Sequence, residues 1–228
     1  MEKVKIQPQL KVVNSSSPTE KTTMYLYGTI GGWFSEIDSI SVKNQLKNIQ
    51  SSEIDVHINS GGGDVFESIA ICNLLKQHKA KINIFIDGLA ASGASIIAMA
   101  GDTISMPKNA TMMIHKAWTI VAGNAEELRK AASDMDTIDS SVTESYLQRF
   151  NGEREQLDDM LAEETFLTAQ ECLQYGFCDA LVEEEKQEDE TNEIVEKHIQ
   201  QQKNKTMKIA AAMQRVAAQI QEERKWND

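Results

Sequence analysis

The sequence predicts an α/β fold of parallel strands joined by helical crossovers, and three stretches carry that prediction. Ile54–Asn59 (IDVHIN) alternates Ile54, Val56 and Ile58 with polar neighbours as a half-buried strand does, and SGGGD (60–64) separates it from a helical pattern. Lys81–Ile86 (KINIFI) is the next apolar strand, so strand, glycine turn, helix and strand form a βαβ unit with a right-handed crossover. Asp87–Ser95 (DGLAASGAS) then surrounds Ser92 with small residues ahead of the apolar segment Ile96–Ala100, as where a strand stops, turns tightly and a buried helix starts.

The remaining elements follow in order. Residues 1–22 are polar, with Pro8, Pro18 and a serine run, and read as a mobile or peripheral arm. Met24–Gly28 reads as a first strand closed by glycine, and Ser39–Ile49 as a helix with a weak one-sided pattern at Ile40, Leu46 and Ile49. The helix after Asp64 aligns Phe66, Ile69, Ala70 and Leu74 on one face, and Asp64 in its first turn suits the helix dipole. Thr103–Pro107 and Ala110–His115 are two short strands. Asn124–Phe150 is a long helix with Leu128, Ala131, Ala132, Met135, Ile138, Val142 and Tyr146 at helical spacing. Short helices at Glu153–Ala162 and Ala169–Tyr175 flank a brief extended FLT, and Ala180–Val182 closes the core. Three parts result: an arm at 1–22, a domain at 23–182 and a charged, helical extension at 183–228. The extension opens on EEEKQEDE, a solvated run, and its stripe of Ile209, Ala212, Met213, Val216 and Ile220 is too small to bury a core of its own.

Composition limits the classes of function. The 228 residues are 41% hydrophobic and 25% charged, a globular balance with room for one sizeable core. A formal net charge of −12 repels a phosphate backbone, so nucleic acid is not an expected partner. No stretch has the apolar length of a membrane span, and MEKVKIQPQL has no apolar core of an export signal, so a cytoplasmic protein is expected. Cys72, Cys172 and Cys178 lack paired metal-ligand spacing and read as small core residues in a reducing compartment.

Two readings compete at Ser92. A serine at a helix start is an ordinary cap, and on local grounds this is the commoner case. The same position sets a hydroxyl beside unpaired helix N–H groups, where developing negative charge is stabilised, as a nucleophile needs. Gly61–Gly63 lacks the GxGxxG spacing and the GK[ST] of nucleotide loops; its bare backbone suits either a tight turn or an oxyanion donor. Four histidines could serve as base. His57 lies within a strand and reads as a core histidine, His78 ends a helix, and His198 lies in the extension. His115 ends a strand, where parallel sheets open onto a crevice, and is placed for chemistry or for structure.

Taken together, INSGGGDVFES, DGLAASGAS with IAMAGD after it, and MMIHKA resemble the Clp protease proteolytic subunit family from about Met24 to Val182, most closely its phage and prophage head maturation branch. The resemblance implies the Clp-protease/crotonase-like fold with a protruding handle helix at Asn124–Phe150, and a serine endopeptidase activity. It implies Ser92 as nucleophile, His115 as general base, and the backbone N–H groups of Gly63 and Gly93 as oxyanion donors. The family's third member is an aspartate just before a Phe-Leu-Ser/Thr-Ala turn. Here Glu164 precedes Phe166-Leu167-Thr168-Ala169, with Asp158, Asp159 and Glu163 as the nearby alternatives. No metal or cofactor is implied. The resemblance also implies protein substrates, capsid or scaffold proteins among them, and a homo-oligomeric ring, seven-membered and stacked through handle helices whose Met135, Ile138 and Val142 need a partner surface. The first alternative is a general degradation subunit served by an unfoldase ATPase, although residues 1–22 do not resemble an axial loop. Two others are a catalytically silent ring acting in assembly and a crotonase-type acyl-CoA enzyme, which would not need the Ser92–His115 pair.

Overall fold

The computed structural model describes residues 9–13, 21–32, 35 and 37–182. The extension expected over 183–228 lies outside the described residues. Eight strands form one sheet: β1 (Gln9–Val13), β2 (Thr22–Ile30), β3 (Glu53–Gly63), β4 (Lys81–Ala91), β5 (Thr103–Pro107), β6 (Thr111–Ile114), β7 (Thr165–Thr168) and β8 (Ala180–Val182). The order is β1-β2-β3-β4-β5-β8, with β6 pairing β4 and β7 pairing β6. From β2 to β8 along that order every pairing is parallel, as two βαβ crossovers require, and β1 joins antiparallel at the edge. The mixed α/β architecture expected from the three stretches is present.

Between the strands lie α1 (Ser39–Leu46), α2 (Val65–Lys76), α3 (Gly93–Ala98), α4 (Ala125–Leu147), α5 (Arg154–Ala162) and α6 (Ala169–Tyr175). Ile54, Val56 and Ile58 of β3 and Ile82, Ile84 and Ile86 of β4 are all buried and pave one face of the sheet. This alternation is the pleat expressed in sequence.

β4 is the element that positions the site. Its first half pairs β5 through Asn83–Phe85 and its last residues, Leu89–Ala91, pair β6. Ile58 pairs Ile86 but Ser60 pairs Ala90, so β4 carries two extra residues around Asp87–Leu89. DGLAA is therefore a bulged continuation of the strand rather than the turn expected after Ile86. Likewise Gly61–Gly63 finishes β3 instead of forming a loop: Gly62 and Gly63 pair Thr29 and Ile30. A Cβ on Gly63 would lie 1.9 Å from the Ile30 carbonyl oxygen, so that close pairing requires glycine.

Other expectations are corrected. Gln9–Val13, within the expected arm, is a strand, its short run masked by polar flanks. α2 buries Ser68, Ile71, Cys72 and Leu75, while Phe66 is exposed; the small Ser68 and Cys72 let α3 approach, which a purely apolar count does not register. Asp64 is the N-cap of α2, accepting from the N–H groups of Phe66 and Glu67. His57 is not a core residue. Period-2 alternation turns it away from Val56 and Ile58, and its ring stacks between Tyr25 and Phe85 at centroid distances of 5.1 and 4.9 Å. Its Nδ1 lies 2.9 Å from Asp87, which also accepts from the Tyr27 hydroxyl. In α4, Val142 needs no partner surface: together with Thr143 and Tyr146 it is buried against the chain's own core.

Candidate active site

Ser92 links the end of β4 to the start of α3 with φ 55° and ψ −126°, a strained conformation for a residue with a Cβ. Its hydroxyl makes no cap hydrogen bond, which removes the ordinary helix-cap reading. Instead Ser92 Oγ lies 2.6 Å from His115 Nε2. Such a sharp strand-to-helix turn lifts a side chain clear of the sheet. Three neighbouring bonds hold it: the Ser92 N–H donates to the Met113 carbonyl at 2.9 Å, and the Ser92 carbonyl accepts from the Ser95 N–H at 2.9 Å and the Ser95 hydroxyl at 2.6 Å.

His115 follows the last residue of β6, and the chain after it is fixed from two sides. The Lys116 N–H donates to the Leu161 carbonyl at 3.0 Å, and the Ala117 N–H donates to Asp139 Oδ1 at 2.9 Å. These bonds tie the histidine loop to α5 and α4. Asp139, whose carboxylate holds this loop, was not singled out from the sequence; it lies 24 positions after His115 on a helix face read only for its apolar stripe.

Glu164 ends the turn between α5 and β7 and has φ 52°, left-handed backbone that non-glycine residues seldom adopt. β7 pairs antiparallel with β6, Thr165 opposite Ile114, so Glu164 is the next residue along, opposite His115. Ser92, His115 and Glu164 line one cavity of about 1010 Å³, whose wall includes Gly62, Gly63, Gly93, Trp118, Met135 and Ile138. Among the described residues no hydrogen bond joins Glu164 to His115. Asp158 is engaged elsewhere, accepting from Thr143 Oγ1 at 3.1 Å and lying 3.7 Å from Arg154 Nε. Asp159 and Glu163 are exposed and lie outside that cavity wall.

The glycines bring two backbone N–H groups beside the serine. A Cβ on Gly62 would stand 2.7 Å from Ser92 Cβ and 2.8 Å from the Gly93 nitrogen. A Cβ on Gly93 would stand 2.1 Å from Ser68 Oγ and 3.5 Å from the Gly63 nitrogen. The Gly63 and Gly93 amides thus border the same small space. Among the described residues no group of three His, Cys, Asp or Glu side chains is arranged to hold a metal, and no helix is long and apolar enough to cross a membrane. At this site a serine hydroxyl, an imidazole and two backbone amides stand close together.

Comparison with known proteins gives the family. The chain is similar to the ATP-dependent Clp protease proteolytic subunit of Deinococcus radiodurans, 27% identical over 135 residues. That match covers 58% of this chain and 66% of the relative, so the chain spans just under two thirds of the relative's length. The family model described as Clp protease matches residues 38–185, from the N-cap of α1 to just past β8, a span that contains Ser92, His115 and Glu164. The chain belongs to the Clp protease family.

Proposed function

We propose that the chain is a serine endopeptidase, and the observation that carries this reading is the 2.6 Å approach of His115 Nε2 to the hydroxyl of a strained Ser92. Ser92 Oγ attacks the scissile carbonyl carbon while His115 Nε2 takes its proton. The tetrahedral oxyanion is received by the Gly63 and Gly93 N–H groups, each such donor being worth roughly 3 kcal/mol. The C–N bond then breaks as His115 returns the proton to the leaving amine. Water, deprotonated by the same imidazole, releases the acyl group from Ser92. Glu164 serves as the carboxylate that orients the imidazole through Nδ1, supported by its place opposite His115 at the β6–β7 edge. No metal or cofactor takes part in these steps.

The partners follow from the family. Protein or peptide is the substrate, and the active form is a homo-oligomeric ring, seven-membered and stacked through α4. The largely exposed first turns of α4 support this arrangement. We place the protein in the cytoplasm, in keeping with three free buried cysteines. The phage-type context of DGLAASGAS and IAMAGD favours capsid or scaffold proteins as substrate and a prophage origin. A second reading, general degradation with an unfoldase ATPase, is favoured by the name of the Deinococcus relative.

The test is labelling by a fluorophosphonate probe, with Ser92→Ala as control. Labelling of Ser92 supports the peptidase, and no labelling of a folded, assembled protein overturns it in favour of a silent ring. Cleavage of a co-expressed capsid or scaffold protein separates the first reading from the second, which requires recovery of an ATPase on the assembled ring.

A further inference from the structure

From the Ser92 backbone runs a chain of buried hydroxyls that lie outside the cavity wall and that peptide-bond chemistry does not use. Ser95 and Tyr146 are both fully buried, and their oxygens lie 2.8 Å apart. Ser95 Oγ is also 2.6 Å from the Ser92 carbonyl oxygen and 3.0 Å from the Met113 carbonyl oxygen. Both carbonyls can only accept, so the single Ser95 proton goes to them and Tyr146 must donate to Ser95 Oγ. The direction is therefore fixed: Tyr146 O–H to Ser95 Oγ, and Ser95 O–H to the backbone of Ser92 and Met113. Burial pushes the Tyr146 phenol well above its ordinary range, so it remains a donor.

Each end of this relay matters. Ser92 is the strained residue with φ 55°, and Met113 precedes His115 by two positions and accepts from the Ser92 N–H. Tyr146 lies in the last turn of α4, the helix that supplies Met135 and Ile138 to the cavity wall. One hydroxyl thus bonds the strands of both proposed catalytic side chains, and a second ties it to the cavity-lining helix.

We infer that Tyr146 and Ser95 are positioning residues: their relay holds the Ser92 backbone in its strained conformation and makes serine reactivity depend on the seating of α4. The inference rests on the peptidase reading for its kinetic arm but not for its structural one.

The experiment compares Tyr146→Phe, Ser95→Ala and the double variant in the full assembled chain. Phe keeps the ring that packs edge-on against Phe177 and removes only the hydroxyl. Saturation kinetics of fluorophosphonate labelling should show the maximal rate falling about 5- to 20-fold in each single variant, the scale of one oriented hydrogen bond. The half-saturating probe concentration and the labelled fraction at completion should not change, whereas a partly unfolded protein would lose labelled fraction. The double variant should be no slower than the slower single one, because both break the same chain. A wild-type rate in Tyr146→Phe, or losses that multiply in the double variant, overturns the inference. If wild-type Ser92 does not react at all, the peptidase reading fails on its own, and a crystal structure of Tyr146→Phe decides the relay. Relaxation of Ser92 away from φ 55° supports it; an unchanged Ser92 with the same distance to His115 sinks it.

Discussion

The Ser92 N–H donates to the Met113 carbonyl at 2.9 Å, so the serine is tied through its backbone to the strand that leads, two residues on, into His115, its partner in the 2.6 Å Oγ–Nε2 contact. Ser92 and His115 each directly follow the end of a strand, β4 and β6, and those two strands pair with each other. Replacing either side chain should therefore remove chemistry without removing structure. Ser92→Ala and His115→Ala are each expected to lower peptidase turnover by about 10⁴- to 10⁶-fold. Their thermal midpoints should stay within a few degrees of wild type, measured by scanning calorimetry.

Gly93→Ala tests the proposed oxyanion site through space rather than charge. The added Cβ would meet Ser68 Oγ at 2.1 Å, a hydroxyl that donates to the Asp64 carbonyl at 2.7 Å. Either the serine rotates or the Gly93 amide is displaced from beside Gly63. A drop in turnover of about 10²- to 10³-fold is expected, the effect of losing one donor. Trimming the neighbour in Gly93→Ala/Ser68→Gly should recover part of the activity; no recovery would place the defect elsewhere than this contact.

Glu164 couples a carboxylate to a strained backbone, and two substitutions separate them. Glu164→Gln keeps the strain and removes the charge; Glu164→Gly removes both. A left-handed conformation costs a non-glycine residue about 1–2 kcal/mol, which glycine avoids. Both variants should lose peptidase activity by at least tenfold, yet Glu164→Gly should be no less stable to urea than wild type. Wild-type turnover in Glu164→Gln would remove the carboxylate from the mechanism.

Three thiols set an alkaline limit. Burial raises Cys72 and Cys178 to about 11 and Cys172 to about 12, against 9.0 for a free thiol. The folded chain keeps these protons while the unfolded chain sheds them. Their contribution to stability is thus whole below pH 9 and is lost as the pH rises toward 11 to 12. Urea midpoints should fall across that window, less steeply in Cys72→Ala. Below it, Ellman's reagent should react with none of the three thiols until the protein unfolds.

What could be read from the chain depended on how far apart its partners lie. The parallel strands and helices have local signatures, and the alternation of Ile54, Val56 and Ile58 matches the buried face of β3. The same alternation puts His57, between Val56 and Ile58, on the opposite face, where the structure stacks it between Tyr25 and Phe85. Small residues mark both turns and close strand approach, so the glycine run and DGLAA read alone as turns; only the pairing partners, Ile30 for Gly63 and Ser60 for Ala90, tell the two apart. The family resemblance singled out Ser92 and His115, and the structure brings their side chains to 2.6 Å. Ser95 and Tyr146 were not singled out, being 51 residues apart, with each alone resembling an unremarkable small or apolar position.

α4 has a mechanical consequence. Its 23 residues give it a length of about 35 Å, yet its buried residues, Val142, Thr143 and Tyr146, all fall in the final two turns. It is a cantilever clamped at one end, with Tyr146 inside the clamp. A tilt of a few degrees that moves the free tip by about 2–3 Å displaces the clamped phenol by only a small fraction of that distance. Such leverage lets a gentle load at the tip act strongly at the base, the end that touches Ser95.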